Sequence, residues 1–238
     1  LAEVAIQATW DANTCLWHVK TNSGREITAN AIIAALGQLN RPAFPDIEGR
    51  DRFEGPSMHS ARWNETVALK DKRVGVIGSA ASAIQLIPEV AKDASALTVF
   101  QRSANYVIPK IDRKITAEEK ALMSTVPEIA KNLGHDQRKM MYDHSEYFYW
   151  QTFSWTEEGR ASFSRVALNH LAENVSDPEL LKKLTPDYPI GCKRILVAND
   201  FYPAMMRDNV SLVTDGIARI TQKGVETSEG THHPCDVL

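Results

Sequence analysis

One stretch limits what this chain can fold into more than any other: Lys72 to Arg102, KRVGVIGSAASAIQLIPEVAKDASALTVFQR. Val74 to Ile77 is a short apolar run and Gly78 closes it. Ala80 to Ala91 has helical composition, and Leu97 to Phe100 is apolar again. The order predicts strand, tight turn, helix and strand, a βαβ unit of dinucleotide-binding type. Such a turn sets backbone N–H groups at the positive end of a helix, where a pyrophosphate is held without a charged side chain. Gly78, Ser79, Ala80, Ala81 and Ser82 are the candidate pyrophosphate cradle.

The second strand ends in Gln101-Arg102-Ser103. An acidic residue there would hydrogen-bond the ribose 2′-hydroxyl of NAD, whereas arginine suits a 2′-phosphate, so NADP(H) is the expected cofactor. The turn spells G-x-A-x-x-A instead of G-x-G-x-x-G. Ala80 therefore brings a β-carbon to the place where the pyrophosphate approaches most closely, and Ala83 suits helix packing. An ordinary βαβ crossover that binds nothing is the alternative for this stretch alone. Pro88 removes one backbone donor from the predicted helix and is expected to kink it.

Around this unit, the alternation Val4, Ile6, Ala8, Trp10, then Trp17 and Val19, with turns at 11–14 and 22–24, predicts an antiparallel meander. Ala31 to Leu36 is continuously apolar and predicts a strand buried on both faces. Gly37, Pro42, Pro45 and Gly49 mark an irregular crossing. After Arg102, Thr116 and Glu119 have capping-box spacing ahead of a helical stretch, and Arg160 to Asn174 and Pro178 to Leu184 also read as helices. Between them, Met140 to Trp155 is densely aromatic, as core packing between helices or as the wall of an acceptor pocket. Short strands at Asn209 to Val213, Ile217 to Thr221 and Val225 to Thr227 are expected to return to the N-terminal sheet.

The formal charge is only −3, which gives no reason to expect nucleic acid or a charged membrane surface as partner. Cys15, Cys192 and Cys235 are widely spaced and never paired as C-x-x-C, so neither a disulfide framework nor a zinc ribbon is expected, and a reducing cytosol is the default. The scattered histidines offer no metal pattern. No apolar run reaches membrane-spanning length.

Residues Phe53 to Trp63 read F-E-G-P-S-M-H-S-A-R-W and fit F-x-G-x-x-x-H-x-x-x-W just ahead of the dinucleotide turn. This resembles the fingerprint of class B flavin monooxygenases of the Baeyer–Villiger type. Three further stretches resemble that family in order: Ala35 to Pro42, Phe100 to Ser103, and Gly191-Cys192-Lys193-Arg194 followed by Arg207 to Val210. The likeness covers essentially the whole chain and comes nearest to the hydroxyacetophenone monooxygenase branch. It implies that Arg102 and Lys193 grip the 2′-phosphate of NADP. Arg194 would stabilise the anionic flavin peroxide and position the nicotinamide, and His59 would couple domain movement to catalysis. An always-charged guanidinium suits an anion that must stay deprotonated to attack a carbonyl.

The implied fold is α/β: a three-layer Rossmann-like NADP domain at 66–209 with a helical insertion at about 113–185. Remnants of a second, FAD-binding domain would flank it at 1–65 and 210–238. FAD is not expected to bind this chain, because its twelve glycines include no pair separated by a single residue. Both ends look cut, and a central piece of a longer enzyme is expected. The implied partners are a ketone or aldehyde and molecular oxygen, and the oligomeric state is open. An N- or S-oxygenating enzyme and a non-catalytic NADP-binding module are the alternatives.

Overall fold

The structure is a computed structural model that describes residues 3–37, 39, 41–110, 112, 114–126, 128, 129, 131, 132, 134–136, 138, 139, 142, 143, 146 and 156–238. It divides into two compact units, Leu1–Ala43 and Phe44–Leu238.

In the first unit, β1 (Ala5–Asp11), β2 (Leu16–Thr21) and β3 (Glu26–Ala29) form the expected antiparallel meander. The register sets Trp10 opposite Trp17 and Val19 opposite Ile27, so one face is apolar and the other carries Gln7, Thr9, His18 and Thr28. Within this unit no second layer covers the apolar face, and Ile6 is 66% exposed. The strand expected at Ala31 to Leu36 does not form, and those residues lie outside any element. Ile33 is 92% exposed. An apolar run becomes a buried strand only where neighbours supply a hydrogen-bond ladder and cover, and within this unit the meander supplies neither.

The second unit contains β4 (Arg73–Ile77), α1 (Ala83–Asp93), β5 (Ala96–Phe100), β6 (Val107–Ile108), α2 (Ala117–Thr125), α3 (Glu157–Asn174) and α4 (Pro178–Leu184). Then follow β7 (Leu196–Val197), α5 (Phe201–Met205), β8 (Val210–Val213), β9 (Ile217–Thr221), β10 (Gly224–Thr227) and β11 (His232–Pro234). The central sheet is parallel, in the order β4-β5-β8. Strand alternation sends Leu97, Val99 and Leu212 into one core with Ile87 and Ala91 of α1 and Tyr202 of α5. It sends Phe100 and Val213 into another with Ile220 and Val225 of the antiparallel β9-β10-β11 sheet. Helices on one face and a small sheet on the other make the unit α/β.

Two local expectations change. β8 joins the parallel sheet beside β5 instead of returning to the N-terminal meander, and β9 to β11 form a sheet of their own. Asn209 explains the first: its side-chain amide donates to the carbonyls of Ala91 and Ala94 at 2.9 Å each, closing the end of α1. That contact delivers the next residues to the edge of β5. α1 continues through Pro88, whose ring is buried, although Ile84 loses its helical donor there.

Thr116 and Glu119 form the full capping box of α2. The described residues from Glu128 to Glu146 are also helical. Most of the aromatic run lies outside the described residues. Tyr142, which is described, is 65% exposed and donates to Glu146.

The C-terminal residues run along the free edge of β4. Gly75 N–H donates to Val237, and Asp236 N–H donates to Arg73. The Asp236 carboxylate accepts from the Arg73 backbone and, through both oxygens, from its guanidinium at 2.6 and 3.1 Å. Those bonds hold its pKa down at about 2. Because the folded value lies below the ordinary aspartate value of about 3.9, the pair contributes fully above that pH, and its contribution is lost as pH falls towards 2. Asp236→Asn is therefore expected to be less stable than the parent at pH 6, with the gap closing between pH 4 and 2. Urea unfolding midpoints against pH would show it, and a gap independent of pH would contradict the account.

Candidate functional site

The turn after β4 is built by backbone conformation. Gly78 has φ +108°, in the left-handed region, and its N–H donates to the Phe100 carbonyl at 2.8 Å, tying the turn to β5. A β-carbon placed on Gly78 would meet nothing within 4 Å, so the turn borders open space. Ser79 is buried, and the Asn105 side-chain amide donates to its carbonyl at 3.0 Å. In a trans peptide the N–H points opposite to the carbonyl, so this bond aims the Ala80 N–H away from Asn105. Ser82 precedes α1 without capping it through its side chain. Ile84 N–H and Gln85 N–H donate back to the carbonyls of Ala80 and Ser82, so it is the N–H groups of the turn itself, Ala80 to Ala83, that supply the anion-binding character of this helix start. Ala80 and Ser82 are exposed and Ala81 is half-buried.

The Ala80 methyl stands on the exposed side of this turn. Ala80→Gly is expected to tighten NADP by about threefold to tenfold, the effect of roughly 1 kcal/mol of relieved crowding. An unchanged dissociation constant in a calorimetric titration would remove the steric explanation.

The loop after β5 supplies the second part. Arg102 is exposed and, among the described residues, has no ion-pair or hydrogen-bond partner. Ser103 Oγ accepts from Lys193 Nζ at 2.6 Å, although ninety positions separate the two in sequence. Lys193 also stands over the Tyr188 ring, 4.4 Å from its centroid. The arginine and lysine singled out for a 2′-phosphate therefore lie on two loops joined at Ser103. Gln101 has a different position from the one its motif suggests. It is 3% exposed, and its amide donates to the Lys183 carbonyl at 2.9 Å, holding the end of α4. Arg194 is exposed and, among the described residues, unpaired.

The histidine fingerprint becomes a packing device with one polar end. Phe53 packs against the Phe100, Ile220 and Val225 cluster. Gly55 lies so close to the chain end that a β-carbon would stand 2.4 Å from the Asp236 carbonyl oxygen. Met58 N–H donates to Leu238, and Leu238 N–H to Pro56. The segment is thus laced to residues 236–238, which pair with β4, the strand that leads into Gly78. His59 caps a short 3-10 turn at Ser60–Arg62, its Nδ1 accepting from Ala61 N–H at 3.0 Å, which leaves the neutral ring's hydrogen on Nε2. Phe44 meets its ring edge-on at 5.2 Å between centroids. Trp63 is 45% exposed.

Asn105, Tyr106 and Tyr188 carry no motif, yet they hold the site together. Tyr188 Oη donates to the Ala104 carbonyl at 3.0 Å and Tyr106 Oη to the Tyr188 carbonyl at 2.8 Å. Among the described residues, no group of three or more His, Cys, Asp or Glu is placed to hold a metal ion.

The description of the pyridine nucleotide-disulphide oxidoreductase family matches residues 7–142, more than half of the chain. The chain belongs to that family. Within it, the likeness is to class B flavin monooxygenases. A Baeyer–Villiger monooxygenase of Pseudomonas aeruginosa is 36% identical over 229 residues, covering 96% of this chain and 42% of that protein. The crystal structure of cyclohexanone monooxygenase from Rhodococcus sp. Phi1 bound to NADP+ superposes with a TM-score of 0.78 at 29% identity, over 99% of this chain and 50% of that one. Oxidised steroid monooxygenase bound to NADP gives 0.79 at 30% identity, over 99% and 51%. The chain therefore spans about half the length of the relatives it matches. No described helix is long and apolar enough to cross a membrane.

Proposed function

We propose that these residues form the NADP(H)-holding part of an NADPH- and FAD-dependent monooxygenase that inserts oxygen next to a ketone or aldehyde carbonyl. The observation that carries it is the meeting of Lys193 with Ser103 beside the free Arg102, one strand away from the open Gly78 turn. The site fits the group: an open left-handed glycine and an uncapped helix start suit a pyrophosphate, and two cations suit a 2′-phosphate. When bound, NADPH supplies a hydride.

The chain's own residues bind and orient. The Gly78–Ser82 backbone holds the pyrophosphate, and Arg102, Ser103 and Lys193 hold the 2′-phosphate. Arg194 offers a permanent positive charge to an anion at the reacting centre, and His59 links that centre to the β4 edge through the backbone ladder of residues 56–58 and 236–238. Residues 1–65 are assigned to a FAD-binding domain and residues 66–209 to the NADP(H)-holding one, with β8 (Val210–Val213), which lies in the parallel sheet beside β5, joined to the latter. The apolar face of the meander, which its own unit leaves without a second layer, supports this, since such a face needs a partner. The chain spans about half the length of its relatives, and flavin is assigned to the part of such a protein that it does not span. The hydroxyacetophenone branch is the finer assignment.

The test is product analysis on a full-length protein containing this sequence, supplied with NADPH, oxygen and a panel of ketones. Esters or lactones one oxygen heavier than the ketone are expected. Sulfoxides or N-oxides from heteroatom substrates, with ketones untouched, would overturn the carbonyl assignment.

A further inference from the structure

We propose that Tyr188 contributes to NADP over NAD selectivity as a positioning residue, holding Lys193 at Ser103 through the face of its ring. The proposal rests on the assignment of Arg102, Ser103 and Lys193 to a 2′-phosphate and identifies what holds that group in place.

Lys193 is exposed, and a lysine on a four-carbon stem has many rotamers, so its ammonium has no intrinsic reason to stay at one point. Two contacts fix it: the 2.6 Å bond to Ser103 Oγ and the 4.4 Å approach to the Tyr188 ring centroid. The negative face of an aromatic ring attracts a cation without neutralising it, unlike a carboxylate. The ammonium therefore keeps its full charge for a phosphate while its position is restricted. This is pre-organisation, with ordering done before the ligand arrives.

Tyr188 can serve as a fixed platform because it is itself held from three sides. Its hydroxyl donates to the Ala104 carbonyl, its own carbonyl accepts from Tyr106 Oη, and the two rings meet edge to face at 5.5 Å and 88°. Ala104 follows Ser103, so the tyrosine pair binds the loop carrying Arg102 to the loop carrying Lys193. Burial pushes the Tyr188 phenol up from its ordinary value, which keeps the hydroxyl a donor at neutral pH.

The test is calorimetric titration of the 238-residue chain with NADP and with NAD for a ring series at position 188: Tyr, Phe, and Phe carrying one, two and three fluorines. Fluorination weakens the ring's negative face while leaving its shape, so all members can fold, and thermal midpoints check this. Tyr188→Phe is expected to keep the selectivity ratio within about twofold, and the trifluoro member to lose about threefold to fivefold, the scale of an exposed cation–π contact. NAD affinity should stay constant throughout. In a Lys193→Met background the series should be flat.

A ratio that ignores fluorination, or equal losses for NADP and NAD, would overturn the role of the ring. If Arg102→Ala still collapsed selectivity in that case, the 2′-phosphate assignment would stand without Tyr188. A parent chain with no preference for NADP would overturn both.

Discussion

Replacing Arg102 by alanine is expected to cut the preference of this chain for NADP over NAD about tenfold, with little change in NAD affinity. A hydrogen bond to a charged group contributes about 1.5 to 3 kcal/mol, and Arg102 is exposed, which puts it at the lower end, near the 1.4 kcal/mol that corresponds to a factor of ten. Arg102→Ala combined with Lys193→Met should remove more of the preference than either alone but less than the product, because both cations point charge at one phosphate and do not act independently. Removing Arg102 frees no buried partner, so the fold should be untouched. Parallel titrations with the two nucleotides check the result. Equal losses for NADP and NAD would show that Arg102 supports the loop and does not read the 2′-phosphate.

Gly55→Ala is expected to have the largest effect on stability. Its β-carbon would lie 2.4 Å from the Asp236 carbonyl oxygen and 2.8 Å from the Phe53 ring. Neither can retreat easily: Asp236 N–H donates to Arg73 in β4, and Phe53 belongs to the core shared with Phe100 and Val225. Overpacking of this kind costs about 1 to 3 kcal/mol and more where backbone is the obstacle. For a chain of this size a loss of about 3 kcal/mol lowers the thermal midpoint by roughly 6 to 12 °C. Gly134→Ala meets nothing within 4 Å and should not lower it. A Gly55→Ala midpoint equal to the parent's would contradict the packing account of the histidine fingerprint.

The βαβ unit was legible because three signals agree over thirty residues: apolar strands, a glycine turn and a helix-forming stretch. The capping box at Thr116 was legible for a similar reason, since its two residues act on each other. Residues whose placement depends on distant partners were not. Gln101 sits in a motif beside Arg102, but burial turned it to Lys183, eighty-two positions away. Asn105 and Tyr188 belong to no pattern at all, and only the fold shows that one aims a turn and the other carries a lysine. Ala31 to Leu36 failed in the opposite way: composition asked for burial, but burial also needs neighbours. Strand β8 was seen as a strand and assigned to the wrong sheet, because the Asn209 contacts that seat it span more than a hundred residues.

On the proposed function, the Gly78 turn and the Arg102, Ser103, Lys193 group form one NADP site. Calorimetric titration of the unmodified chain with NADP and NAD side by side tests it most directly. One molecule of NADP per chain is expected, bound at least about tenfold tighter than NAD, a margin of roughly 1.4 kcal/mol or more. Equal affinity for the two nucleotides, or no binding of NADP, would contradict it.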